Sequence, residues 1–189
     1  EKELENFVAN ALNMVRMLGE DSCRSLPQPE RTAKDAITGK ELGLYDPAYE
    51  DIDIDTRLRR AKEMSITGRI GNKEGKWSII SEECEYSDGI DDNYLVDSQG
   101  FEGRHTETSF SAFTEVTIED AEGNKYSGHW WEASNKADEL KASECGKMAL
   151  DKAVGQIGPK NRRSGRYRMV VDTNAAARLV APIFTALNA

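Results

Sequence analysis

Histidine is nearly absent from this chain, which holds two in 189 residues, His105 and His129. Neither belongs to an H-E-x-x-H helix, and no cysteine pair stands near them to complete the three or four converging ligands that zinc needs. Cysteine is scarce as well. Cys23, Cys84 and Cys145 are odd in number and form no C-x-x-C pair, which points to buried or idle thiols in a reducing compartment, the cytoplasm, rather than to a disulfide framework. No apolar run is long enough to cross a bilayer, so no membrane partner is expected. The opening Glu1-Lys2-Glu3-Leu4-Glu5 is charged, resembling neither a signal peptide nor a natural start. Positive charge is also short. With 25 Lys and Arg against 34 Asp and Glu, a net charge of −9 weighs against nucleic acid as a direct partner, because phosphate binding needs a basic surface. A nucleophile-elbow motif is missing too. The pattern yields no catalytic, cofactor-binding or metal residue.

What the chain does have is concentrated between Lys76 and Trp131. Trp77, Ile79, Ile80 and Tyr86, then Tyr94 to Val96, then the run from Phe101 through Phe110, Phe113, Val116 and Ile118, are aromatic and β-branched. Ser87–Asn93, Ser98-Gln99-Gly100 and Asp120–Asn124 punctuate them with turn residues, and Tyr126, Trp130 and Trp131 follow. That alternation predicts an antiparallel meander of about four strands over residues 76–132. Apolar stripes flank it: a helix over 3–18 with Leu4, Phe7, Val8, Ala11, Val15 and Leu18 on one side, and a helix over 136–157 capped by Ser134 or Asn135. The fold class is α+β, with the meander packed by flanking helices. Leu12, Ile79, Leu140 and Val170 are expected in the core. Pro27, Pro29 and Pro47 mark 20–50 as a long extended connection. Past Gly158-Pro159 a short strand over 167–171 and a helix from Ala175, capped by Asp172–Asn174 and kinked or interrupted at Pro182, begin a second β-rich domain. The division is therefore 1–158 and 159–189. Both ends fall inside amphipathic or apolar patterns, as if cut.

Several acidic groups invite chemistry and lose it on inspection. Asp51, Asp53 and Asp55 imitate the start of a calcium loop, but Thr56 stands where the sharp turn needs Gly and Lys62 where a bidentate Glu is required. Capping of a helix over 56–64 by Asp53 or Asp55 explains them better. Asp88, Asp91 and Asp92 fit turn chemistry. Glu82, Glu83 and Glu85 offer carboxylate pairs for acid–base work, with no spacing that singles one out. Trp130 and Trp131 must face opposite sides of a strand, and burial is expected for both. Residues 76–135 hold 3 basic and 14 acidic side chains, while Lys160, Arg162, Arg163, Arg166 and Arg168 form a basic run. Solvated faces account for both, and the asymmetry can orient a charged partner.

Four segments carry a resemblance to the TldD/PmbA family, whose PmbA branch is also called TldE. They are Glu74-Gly75, the run Tyr94–Gly103 (YLVDSQGFEG), Glu144–Leu150 (ECGKMAL) and Gly165–Asp172 (GRYRMVVD) before Ala175–Leu179. The resemblance spans nearly the whole chain and corresponds to less than half of a family member, the large β-rich C-terminal domain being absent. It implies a cytoplasmic protein of a group first described as modulators of DNA gyrase and later understood as peptidases that process or degrade peptides. In that group the TldD-type subunit carries zinc on an H-E-x-x-x-H helix. The PmbA/TldE subunit lacks the helix and completes a two-subunit complex. This chain has no H-E-x-x-x-H, so no metal ligand carries over, and zinc is implied only for a TldD-like partner. The resemblance therefore points to a metal-free PmbA/TldE-like subunit of a metallopeptidase, partnered by a TldD-like subunit or by itself and acting on peptides. A non-enzymatic regulator, of gyrase or of a toxin–antitoxin pair, is the alternative. A stand-alone carboxylate hydrolase is the third.

Overall fold

The computed structural model describes residues 1–67 and 76–187; Glu74-Gly75 lies outside the described residues. The chain divides into two compact units, Glu1–Ile157 and Gly158–Ala189. In the first, helix α1 (Lys2–Arg16) and helix α2 (Ile54–Met64) precede strands β1 (Trp77–Val96), β2 (Glu102–Asp120) and β3 (Lys125–Ser134), and helix α3 (Ala142–Val154) follows. The strands form one antiparallel sheet in the order β1-β2-β3. The fold is α+β.

The two hairpin turns form where the turn residues predict them. Asp97 Oδ1 accepts from the N–H groups of Gln99 and Phe101, with Gly100 at φ +92°. Asp120 Oδ1 accepts from those of Glu122 and Asn124, with Gly123 at φ +83°. The expected turn at Ser87–Asn93 does not exist. β1 runs straight through it, with Gly89 opposite Ser109 and Asp91 opposite Glu107, so the meander has three long strands rather than four. Two of the three carboxylates that would fold the backbone on itself, Asp88 and Asp92, are engaged elsewhere. Asp88 receives a two-pronged bond from Arg57 of α2 (Nε–Oδ2 2.9 Å, Nη2–Oδ1 3.0 Å), and Asp92 receives one from Arg104 across the hairpin (2.6 and 2.8 Å).

Burial in β2 alternates strictly, as a strand with one covered face must. Phe110, Ala112, Thr114, Val116 and Ile118 are buried beneath α2 and α3. Cys145, Ala149, Leu150 and Ala153 meet them from α3, and Met64 from the end of α2. Fully burying a side chain of this size contributes roughly 1.5–3 kcal/mol. Two glycines set the spacing. A Cβ on Gly128 would sit 2.4 Å from the Ala149 carbonyl and the Ala153 nitrogen, and one on Gly146 would sit 2.2 Å from the Met64 carbonyl. α3 therefore lies directly on β3 and on the end of α2.

With that face filled, α1 has no place on it. No residue of α1 is buried, and Leu12 is 52% exposed, which corrects the expectation that its stripe packs on the sheet. α3 is also shorter than its apolar pattern suggested. Asn135 does not cap it; its Nδ2 donates to the Thr108 carbonyl at 2.6 Å. The N–H groups of Lys136 and Ala137 go to Ser134 Oγ and Asp46 Oδ2, so the helix starts only at Ala142. Capping of α2 by Asp53 holds, its Oδ1 accepting from Thr56 N at 2.8 Å.

Beyond Phe110, β3 no longer runs beside β2, and the long connection takes its place. Thr108 N donates to the Leu44 carbonyl at 3.1 Å. The Thr108 hydroxyl accepts from Asp46 N and donates to the Asn135 carbonyl, each at 2.8 Å. Asp46 also caps the 3₁₀ turn Pro47–Asp51 through Ala48 N. A buried polar node thus ties the connection, β2 and the β3–α3 loop together.

In the second unit, helix α4 (Thr173–Leu187) begins with Asp172 Oδ1 accepting from Asn174 N at 2.9 Å. Pro182 lies inside it without ending it, so of the two expected effects the interruption does not occur. Residues 167–171 are in neither helix nor strand, and Val170 is 88% exposed. Both the strand and the core position expected there are absent among the described residues, because an extended run becomes a strand only with a neighbour to ladder against.

Candidate functional site

The two faces of the sheet differ in chemistry as well as in cover. On the helix-bearing face every strand carboxylate is satisfied from within. Glu82 accepts from Ser65 Oγ, Ile66 N and Thr67 Oγ1 at 2.5–2.7 Å, tying the segment after α2 to β1. Burial pushes the Glu82 pKa up, but these three donors outweigh it and the net shift is downward. Asp88, only 4% exposed at its side chain, pairs with Arg57. Arg104 first, then the Thr106 hydroxyl, hold Asp92 down at about 2. Trp130 donates Nε1–H to Glu132 at 2.8 Å and lies under Lys152, whose ammonium is 4.7 Å from the ring. These groups hold the fold.

The other face carries no helix or strand among the described residues of this unit. Alternation along the three strands puts Glu83, Glu115 and His129 in one row across it, and Glu85, Phe113 and Trp131 in the next. The Phe113 ring stacks on His129, centroids 6.1 Å apart and 30° from parallel. Trp131 is 55% exposed, which corrects the expectation of burial on both faces while keeping the expected opposition to Trp130. Glu119 and Asp91 extend the acidic character towards the two ends. None of Glu83, Glu85, Asp91, Glu115 and Glu119 has a hydrogen-bond or ion-pair partner among the described residues, whereas Glu107 has His105 at 3.4 Å. The face is predominantly anionic and aromatic at its centre, and the strand-borne lysine on it is Lys125, opposite Glu119 at one end.

The residues flagged in the sequence are dispersed by this geometry. Glu82 lies on the opposite face from Glu83 and Glu85, so the three are not one acid–base group. His105 and His129 share the open face, but His129 lies opposite Glu115. Ten residues of β2 separate that position from His105, roughly 33 Å at a strand's rise. No three His, Cys, Asp or Glu side chains among the described residues group as ligands, so the described residues offer no donor set that fits zinc. Cys145 is buried and its thiol is pushed up to about 11, chiefly by that burial; Cys84 is raised for the same first reason, and Cys23 is exposed. Raised in this way, the Cys84 and Cys145 thiols are poor nucleophiles at neutral pH. Sequence reading missed the partnership of Glu115 and Phe113 with His129, because a cross-strand row shows only once register is known. It also missed the node at Asp46 and Thr108, although Asp-Pro at 46–47 is a legible start signal for a helical turn. No helix among the described residues is long and apolar enough to cross a membrane.

Comparison with known proteins adds the following. Residues 47–157 match the model of the PmbA/TldA metallopeptidase central domain. A solved structure from Bacteroides thetaiotaomicron, described as a proposed modulator of DNA gyrase, superposes with a TM-score of 0.85 at 34% identity; the match covers 99% of this chain and 41% of that one. A second, from Thermotoga maritima and described in the same way, gives a TM-score of 0.55 at 22% identity over 65% of this chain and 27% of that one, a likeness of fold. No curated protein matches the sequence. The chain thus spans well under half the length of these solved relatives.

Proposed function

Because the chain belongs to the PmbA/TldD metallopeptidase family, we propose that it is the central part of a PmbA/TldE-like subunit that works within a cytoplasmic complex to process or degrade peptides. In this reading it supplies no metal ligand. Zinc and the hydrolytic chemistry belong to a TldD-like partner, and this chain supports the complex and its peptide substrate. The observation that carries the reading is the family match across residues 47–157, joined to 34% identity along nearly the whole chain with one solved relative. The division of the sheet supports it. One face is consumed by structural contacts, and the other presents charged and aromatic side chains suited to holding a polypeptide rather than to cutting one.

Assembly is the first test. The full-length subunit containing this chain, mixed with a zinc-bearing TldD-like subunit, should elute as one species whose light-scattering mass equals the sum of the two. Independent elution at every concentration up to tens of micromolar would count against a shared complex. A second reading, a regulator without peptidase work, is favoured by one observation: both solved relatives are described as proposed modulators of DNA gyrase. It expects the full-length subunit to alter DNA supercoiling by gyrase with no peptidase partner present.

A further inference from the structure

We infer that the open face of the sheet is a docking surface for an unfolded, lysine- and arginine-bearing peptide. This rests on the peptide-handling function proposed above and names the class of peptide. Three features of the face point the same way. Its carboxylates on β1 and β2, Glu83, Glu85 and Glu115 foremost, have no internal partner, whereas the β1 acids of the helix-bearing face, Glu82, Asp88 and Asp92, are all satisfied. Uncompensated like charges within one sheet face repel one another, and an incoming cation relieves that repulsion. At the centre of the same face, Trp131 and the Phe113–His129 stack present aromatic surface, on which an ammonium or guanidinium is held more firmly than by charge alone. Finally, antiparallel rows on an extended sheet repeat at the spacing of alternate residues in an extended peptide. A chain laid along the face thus meets carboxylate and aromatic positions in turn. An anionic peptide meets repulsion at the rows of Glu83, Glu115 and Glu85, with Lys125 as the lysine of the face, at its end. Self-pairing of two such faces brings carboxylates against carboxylates, which argues against a second copy as the occupant.

The test uses the purified chain and two labelled unstructured peptides of equal length, one bearing four Lys or Arg among Gly and Ser and one with Glu in the same places. Fluorescence anisotropy at low and moderate salt gives the affinities. The cationic peptide should bind, weaken as salt rises, and lose roughly two- to five-fold in affinity for Glu83→Gln or Glu115→Gln. Trp131→Ala should lose roughly two- to thirty-fold. All three positions are at the surface of the sheet, and an unchanged melting temperature confirms that each variant is folded. The variant Glu3→Gln/Glu5→Gln, on exposed α1, removes at least as much charge away from the face and should bind like the parent chain. Equal binding of both peptides, no binding of either, or equal weakening by the α1 variant would overturn the inference. So would concentration-dependent dimerisation abolished by Glu83→Gln, since a second copy would then occupy the face. Binding is read without metal or partner subunit, so a failure here is separable from a failure of the peptidase assembly.

Discussion

Two buried threonines on the covered face of β2, Thr108 and Thr114, are both fully inaccessible and should respond very differently to the same substitution. The Thr108 hydroxyl bonds Asp46 N and the Asn135 carbonyl, each at 2.8 Å. The Thr114 hydroxyl reaches only Cys84 Sγ, at 3.8 Å, a weak acceptor at long range. Valine matches threonine in shape, so the change isolates the hydroxyl. At Thr108 it leaves one buried donor and one buried acceptor unsatisfied, each costing about 1–3 kcal/mol; Thr108→Val should therefore lose about 2–6 kcal/mol. At Thr114 the lost bond is marginal and the site apolar, so Thr114→Val should stay within about 1 kcal/mol of the parent chain. Thr108→Ser keeps the hydroxyl and should recover most of the loss. All three tryptophans, Trp77, Trp130 and Trp131, lie in the first unit, so urea unfolding followed by their fluorescence reports that unit alone. With the slope unchanged, the shift in midpoint gives the energy directly. Equal losses at the two positions would refute the node as the tie between the connection and the sheet.

Three further outcomes follow from the same geometry. Ile118→Ala should cost about 2–5 kcal/mol in urea unfolding, while Leu12→Ala, at an exposed position, should stay within about 0.5 kcal/mol. Gly128→Ala drives a methyl into the backbone of α3 and should cost about 1–3 kcal/mol or more, read as a lowered melting temperature. The Ala137 N–H first, then that of Ala48 together with Lys136 and Arg60, hold the Asp46 carboxyl below the usual range against the opposing pull of burial. A depressed folded-state pKa means stability present above the unfolded value and lost as pH falls through the folded one. The midpoint should therefore drop below about pH 4, and less steeply in Asp46→Ala.

What the sequence made legible followed from local chemistry. The hairpin turns at Asp97–Phe101 and Asp120–Asn124, the Asp53 cap and the opposed faces of Trp130 and Trp131 depend on neighbours within a few residues. What failed depended on distant partners. Asp88 and Asp92 look like turn residues until Arg57 and Arg104 claim them and let β1 run straight. Leu12 and Val170 look like core residues until Gly128 and Gly146 bring α3 so close that the covered face is full, and until residues 167–171 are seen to lack a strand to pair with. Asn135 looks like a helix cap until Thr108 offers it a carbonyl. The open face was hidden for the same reason. Glu83, Glu115 and His129 lie in three strands and become one row only through the register. The family resemblance was legible because its segments are contiguous stretches of chain.

The most direct measurement is hydrolysis of an unfolded peptide by the purified chain, by the full-length subunit and by that subunit mixed with a zinc-bearing TldD-like partner, each with and without a chelator. The expected result is turnover in the mixture alone, abolished by the chelator and restored by zinc. Turnover by the isolated chain that survives the chelator would contradict it.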